Sequence, residues 1–196
     1  MFYKTVFLIA LVLQACNKQK DYYYLPSKAS DNSFNAVVEI PAGTNKKLEY
    51  NKSLKSFEID IEDGKERTIQ FLPYIGNYGF IPSTLSDSKT GGDGDALDVL
   101  VLSESVSTGT VMEILPVAML KLIDDGELDY KIIAIPINEK LRIIDVKSLD
   151  ELQQNFPTVL TIIESWFLNY NKNDEAIIKG WGNEKEALEE IHNNRS

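Results

Sequence analysis

The sequence predicts an α+β fold in which a small β-barrel is followed by helices. Three observations lead there. From Asn35 to about residue 137, apolar residues fall in short runs of strand length separated by turn residues. From Ser148 onward the period becomes helical. A chain of 196 residues with 43% hydrophobic content suits one domain with a sizeable core plus terminal tails.

The elements follow in order. "NAVVEIP" (35–41) reads as a strand stopped by Pro41. "KKLEYN" (46–51) and "SFEIDIEDGK" (56–65) read as a second strand, a loop, and a third strand turning at Asp63-Gly64. "FLPYIGNYGFIPSTL" (71–85) is rich in Pro, Gly and aromatics and reads as a shaped loop or irregular strand, a common place for function. "DVLVL" (98–102) is a short buried strand. "TVMEILPVAMLKLI" (110–123) and "DYKIIAIPI" (129–137) flank the hairpin signal "DDGEL". Ser148 with Glu151 three residues on forms a capping box. Pro157 suits the first turn of the next helix, along which Leu160, Ile163, Phe167 and Tyr170 recur at helical spacing. "AIIKGW" (176–181) is a late strand, and "NEKEALEEIHNN" (183–194) a charged helix capped by Asn183. Many short strands followed by helices indicate α+β with a small barrel.

Composition removes several kinds of chemistry. The net charge of −10 disfavours nucleic acid, whose phosphates need basic partners. The single histidine, His192, lies in the tail of a polar helix, so a Ser-His-Asp triad, a Cys-His pair and a His-ligated zinc site are all disfavoured. Carboxylates, Lys, Arg, Tyr, Ser and hard cations bound through oxygen remain.

The N-terminus reads as an address. "MFYKTVFLIALVLQAC" starts with one basic residue, Lys4, followed by an apolar run from Val6 to Leu13 that is too short to span a bilayer but has the length of a signal-peptide core. It ends in Leu13-Gln14-Ala15-Cys16, which resembles the bacterial lipobox, in which the cysteine is lipidated. A plain N-terminal strand or a cleaved secretory signal is the alternative. Residues 1–15 are thus expected to be a signal peptide, 16–34 a flexible tether behind a lipidated Cys16, and 35–196 the folded domain. The expected location is a bacterial cell envelope, or the cytoplasm if the signal is not processed.

Two acidic turns stand at strand ends. In "GGDGDALDVLVL" (91–102), Asp93 and Asp95 point to one side of an extended segment, Asp98 opens the strand, and the glycines let the backbone bend so that the side chains converge. Leu97 occupies a position where an EF-hand needs a polar ligand, so this is not that loop. In the second turn the hairpin brings Asp124 and Asp129 onto adjacent strands about 5 Å apart, close enough to share a cation. Lys131 lies on the face of Asp129. Each turn alone could be a solvated surface feature. Two together suit a pair of hard cations serving phosphoryl transfer to water. A phosphate substrate would need cationic side chains, for which Lys47 and Arg67, in strand-like segments, are candidates; the alternative for each is a surface charge.

At this point "DGDALDVLVL" resembles the Asp-x-Asp-x-x-Asp signature of the soluble family I inorganic pyrophosphatases. "VVEIPAGTNKKLEY", "GNYGFIP", "LIDDGELDYKIIAIP" and "WFLNY" resemble that family's other motifs in order and spacing, from about Asn35 to Ile191. The resemblance implies a five-stranded OB-like β-barrel with helices packed on the outside. It implies hydrolysis of pyrophosphate to two orthophosphates with three or four Mg2+ per site. It implies that Asp93, Asp98 and Asp129 hold the first metal, that Asp98 bridges to a second, and that Asp95 is the general base. Asp124, Glu39 and Glu49 would serve the remaining metals. Lys47, Arg67, Tyr78 and Tyr170 would bind phosphate oxygens, and Lys131 would tune the acidic cluster. There are departures: Asn171 stands where the family usually has a lysine, with Lys172 one position late; Arg67 aligns only across a one-residue gap; and Ala96 replaces a common proline. Family members differ in oligomeric state, and Leu/Ile-rich outer faces predict some self-association. The rival readings are a non-catalytic envelope lipoprotein that binds metal or a phosphorylated ligand on the same barrel, and a phosphohydrolase acting on other phosphate esters.

Overall fold

The computed structural model describes residues 19–30, 33–171 and 175–195. The expected signal peptide, the lipobox with Cys16, and Lys172 lie outside the described residues. Among the described residues no helix is long and apolar enough to cross a membrane.

Five strands pair in a circuit. β1 (Phe34–Ile40) runs antiparallel to β6 (Asn77–Phe80), and β6 antiparallel to β7 (Asp98–Val101). β7 is parallel to β10 (Lys131–Pro136), β10 antiparallel to β8 (Val111–Asp124), and β8 returns to pair with β1. The 14-residue β8 makes this possible. One of its edges pairs with β10; along the other, β1 covers Val111–Ile114 and β11 (Ala176–Asn183) covers Ala118–Asp124. Pro116, which has no N–H for the ladder, sits next to a register shift against β10, where its loss is tolerated.

Both faces of the central strands are buried, which explains why "DVLVL" and "KIIAIP" are continuous apolar runs rather than alternating ones. Leu100, Leu102, Ile133 and Ile135 pack with Leu152, Leu160, Ile163, Trp166 and Phe167 of α1 (Leu149–Asn155) and α2 (Pro157–Phe167). Val99, Val101, Ile132 and Ala134 pack on the opposite face with Ala187 and Ile191 of α3 (Glu184–Asn193). The helix starts match their sequence signals. The Ser148 side chain accepts from Glu151 N, Pro157 opens α2, and Asn183 with Glu186 makes a reciprocal capping box.

Short hairpins surround one end. β2 (Leu48–Asn51) pairs with β3 (Ser56–Ile59), and β4 (Ile61–Glu62) with β5 (Lys65–Glu66) across Asp63-Gly64, where both residues have positive φ. Asp125-Gly126 makes the same kind of turn between β8 and β9 (Glu127–Leu128).

Three expectations need correction. The strand expected from Asp129 begins at Lys131, because the tight Asp125-Gly126 turn first forms the separate two-residue β9. Tyr170 lies beyond the end of α2, held by its N–H donating to Trp166 O. And the described part of the segment expected to be a tether is packed on the domain. Tyr23 is buried, Tyr22 contacts the rings of Tyr50 and Phe57, and Asn35 N donates to Ser27 O. Tyr22 and Tyr23 bury aromatic area against Tyr50, Phe57 and Phe80, which a polar spacer would not do, while Tyr24 stays exposed.

Candidate active site

A β-bulge begins the site. The β1–β6 register shifts between Val38 and Ile40, leaving Glu39 as the extra residue, and bulges re-aim a side chain. Opposite it, Gly79 leaves no room for a side chain: a Cβ there would lie 1.9 Å from Val37 O. Glu39 turns toward the β2 hairpin, where it accepts a 2.7 Å hydrogen bond from Tyr50 N. Burial pushes its carboxyl up to about 8, against the Tyr50 bond, with Asp98 and Glu49 adding to the rise.

The sheet ladder sets the acidic floor. Asp98 and Lys131 begin the parallel neighbours β7 and β10 and are direct partners, so their side chains share a face. Lys131 Nζ donates to Asp98 Oδ2 at 2.5 Å and also to Asp129, two residues back on the same face. Tyr78, on β6, donates its hydroxyl to the same Asp98 oxygen at 2.5 Å. Burial alone would lower the Lys131 pKa; Asp98 and Asp129 outweigh it and hold the ammonium above the usual lysine range. Burial raises Asp129, with Lys131 opposing, and it lifts the Tyr78 phenol well above its usual range, so Tyr78 remains a donor.

The glycine-rich turn supplies Asp93 and Asp95. Gly91 and Gly94 have positive φ, and Asp93 accepts from Asp95 N at 2.9 Å. Burial raises the Asp93 pKa. Asp95 is largely exposed and forms a 2.8 Å ion pair with Lys52. At the end of β8, Asp124 approaches the Tyr170 hydroxyl at 3.5 Å. Asp124 and Asp129 are not cross-strand partners as expected. Asp124 pairs with Glu127 across the tight hairpin, and Asp129 N donates to Leu122 O, which places Asp129 with Asp98 instead.

A cationic wall stands opposite. Arg67 lies 3.3 Å from Asp60, which is also 3.9 Å from Lys47; Lys47 pairs with Glu49 at 2.8 Å.

These residues line one cavity of about 280 Å³, which holds Glu39, Lys47, Glu49, Arg67, Tyr78, Asp93, Asp95, Asp98, Asp124, Asp129, Lys131 and Tyr170. Every sequence-derived site residue within the described part of the chain is therefore brought together. Tyr23, Tyr50, Lys52 and Tyr74 also line it and were missed. Tyr74 could have been found four residues before Tyr78 in the same aromatic loop. Lys52 and Tyr23 carry no local signal, because what recruits them is the packing of the N-terminal segment.

Seven lining carboxylates face four cationic side chains, an excess of three negative charges when all are ionised. The donors are hard oxygens, with no imidazole or thiolate, which suits Mg2+. Among the described residues no three of these acids converge closely enough to enclose an ion, the Lys131 ammonium lying between Asp98 and Asp129.

The chain matches the sequence profile of inorganic pyrophosphatase over residues 36–196. It is similar to the inorganic pyrophosphatase of Neisseria meningitidis serogroup B, at 34% identity over 167 residues, covering 85% of this chain and 89% of that protein. It is 36% identical over 174 residues to the Saccharolobus solfataricus inorganic pyrophosphatase, covering 85% and 92%. Among solved structures, the inorganic pyrophosphatases of Thermus thermophilus and Neisseria gonorrhoeae superpose with TM-scores of 0.74 and 0.73, at 28% and 32% identity, covering 88% and 89% of this chain and 95% of each of theirs. The family profile and this cavity agree: the chain belongs to the inorganic pyrophosphatase family and is an inorganic diphosphatase.

Proposed function

We propose that pyrophosphate is hydrolysed in this cavity with Mg2+ held by the carboxylate floor and with Asp95 as proton acceptor. The charge imbalance carries the reading. A polyanionic substrate is repelled by this acidic excess, three charges with every group ionised and two while Glu39 keeps its proton, unless cations enter with it. Asp93, Asp98 and Asp129 do not converge around an ion here and would have to draw together to hold a first Mg2+, with Asp98 serving a second as well; Asp124, Glu39 and Glu49 would serve further ions. Bound Mg2+ would acidify water and neutralise the departing phosphate.

The chain's own groups do the remainder. Lys47 and Arg67 bind phosphoryl oxygens, and the Tyr78 and Tyr170 hydroxyls, which point their protons at Asp98 and Asp124 here, would turn them to phosphoryl oxygens when substrate enters. Water attacks one phosphorus as the bridging P–O bond breaks; its proton passes to the Asp95 carboxylate, and the electron pair of the broken bond leaves on the second phosphate. Lys131, donating to both Asp98 and Asp129, holds the two carboxylates in place. Catalysis of this kind is mostly positioning and charge stabilisation. The sheet with its five-strand circuit supplies that rigidity as an OB-like barrel. The test is phosphate release from pyrophosphate with and without Mg2+, beside Asp95→Asn. Fast Mg2+-dependent release that falls at least a hundredfold in the variant is expected; undiminished turnover by the variant would remove Asp95 as base.

Attachment to a bacterial cell envelope through a lipid on Cys16 is a separate proposal, supported by the Leu13-Gln14-Ala15-Cys16 sequence after an apolar run. Detergent-phase partitioning that disappears in Cys16→Ser is the expected result. Self-association is proposed from the exposed Leu72, Ile162 and Leu168, and light scattering of the purified protein tests it.

A further inference from the structure

The segment Gln19–Ser30 precedes the family match yet reaches the cavity. It is tied to the β2–β3 turn at several points. Gln19 Nε2 donates to Leu54 O at 3.2 Å and Lys55 O at 2.9 Å, Asp21 pairs with Lys55 at 3.0 Å, and Tyr22 N donates to the Tyr50 hydroxyl at 3.1 Å. Tyr23 then enters the cavity wall. Its hydroxyl donates to Thr84 O at 3.3 Å, and Ser83 N donates to its carbonyl at 2.8 Å. The Lys52 ammonium lies over the Tyr23 ring, 4.2 Å from the centroid, while forming its 2.8 Å pair with Asp95.

Magnitudes give this stacking its meaning. Asp95 and Lys52 are 70% and 44% exposed, and Asp95 follows a glycine with positive φ. An exposed lysine–carboxylate pair on its own holds its geometry weakly, because side-chain entropy and solvent screening nearly cancel the attraction. A cation over an aromatic face adds an attraction of comparable size and confines the ammonium to one place. The ring is fixed by burial and by its hydroxyl, so rigidity passes from the segment to Lys52, and from Lys52 to the carboxylate.

We propose that Tyr23 is a positioning residue for pyrophosphate hydrolysis, acting through Lys52 to hold the Asp95 carboxylate in its working orientation. The N-terminal segment is therefore a component of the active site. The proposal rests on the reading of Asp95 as proton acceptor. Tyr23 touches neither phosphate nor water in this scheme, so its effect is expected in kcat.

The experiment is steady-state pyrophosphate hydrolysis by the full chain at saturating Mg2+, comparing Tyr23→Leu, Lys52→Met, the double variant and Asp95→Asn. Tyr23→Leu and Lys52→Met are each expected to lower kcat about fivefold, with KM within about twofold. The double variant is expected to be no slower than Lys52→Met alone. Effects that multiply in the double variant overturn the proposal, as does a rise in KM with kcat preserved, which would make Lys52 a phosphate contact. Tyr23 is buried, so Tyr23→Leu could act by unfolding. Replacement of Tyr23 by phenylalanine and by its mono-, di- and trifluorinated forms keeps the shape while draining the ring of electron density. A stepwise fall in kcat along that series supports the proposal, and a flat series overturns it. If Asp95→Asn is inactive while the Tyr23 and Lys52 changes are silent, only the role of the segment falls. If Asp95→Asn is fully active, the proton-acceptor reading falls and the proposal with it.

Discussion

Asp98 and Lys131 face each other as the first residues of two parallel neighbouring strands, and the ammonium meets the carboxylate at 2.5 Å with only 3% of Lys131 exposed. A cation buried this deeply is held by the two acids it touches, Asp98 and Asp129, and they by it.

Lys131→Met leaves those two acids together without their cation. Removing one partner of a buried charge cluster costs about 3 kcal/mol or more. Urea unfolding in EDTA is expected to show a loss of that order, and added Mg2+ is expected to recover much of it by supplying the missing positive charge. A variant as stable as the parent in EDTA would show that Lys131 does not carry the cluster's charge balance.

Glu39 makes the metal-free protein sensitive to alkali. Its folded pKa of about 8 lies above the ordinary 4.5, so between those values the folded state holds a proton that the unfolded state has released. Stability in EDTA should therefore fall as pH rises from about 4.5 to about 8. Glu39→Gln, which cannot ionise, should flatten that slope. For the same reason Mg2+ binding by the parent should release a proton at pH 7 and tighten as pH rises through 8. A pH series of unfolding curves with and without the substitution checks the sign.

Gly79→Ala tests the bulge. The added methyl would overlap Val37 O at 1.9 Å, so β1 must shift away from β6 where Glu39 is aimed. A loss of about 3 kcal/mol is expected for such overpacking against backbone, together with loss of activity. Thermal unfolding and phosphate release, measured on the same preparation, distinguish this from a harmless change.

Tyr78→Phe removes the hydroxyl that donates to Asp98. Hydrogen bonds to charged groups contribute about 1.5–3 kcal/mol, which predicts a fall of roughly tenfold or more in kcat/KM. The phenol is buried, so the cavity keeps its shape and the change reports the hydroxyl. An unaltered kcat/KM would mean that Lys131 alone orients Asp98.

How far the sequence could be read follows from the range of the interactions. The acidic turns were legible because each sits beside a strand whose apolar run marks its position, and helix starts because caps are local. The bulge at Glu39 was not: it depends on β1 meeting β6 about forty residues away, and only the glycine at 79 hints at so close an approach. The pairing of Asp124 with Asp129 was misjudged because "DDGEL" allows more than one hairpin register, and the two-residue turn selects the tighter one. Lys52 and Tyr23 were missed for a further reason. "YYY" in a polar stretch has no period, and the docking of Tyr22 and Tyr23 depends on partners, Tyr50 and Thr84, that lie 28 and 61 residues distant.

The hydrogen bonds of Gln19 to Leu54 and Lys55 have a consequence for the anchor proposed at Cys16. Two residues lie between the two positions, so the three steps along the chain reach at most about 11 Å. A lipid carried on Cys16 would thus enter its bilayer on the side of the domain that carries the turn presenting Lys52 to Asp95, which brings that turn toward the headgroup layer. On an anionic leaflet that layer is enriched in divalent cations and depleted of free polyanions. The enzyme's apparent need for Mg2+ and its apparent affinity for pyrophosphate would then both depend on lipid composition, and turnover on vesicles of varied anionic content would differ from turnover in detergent.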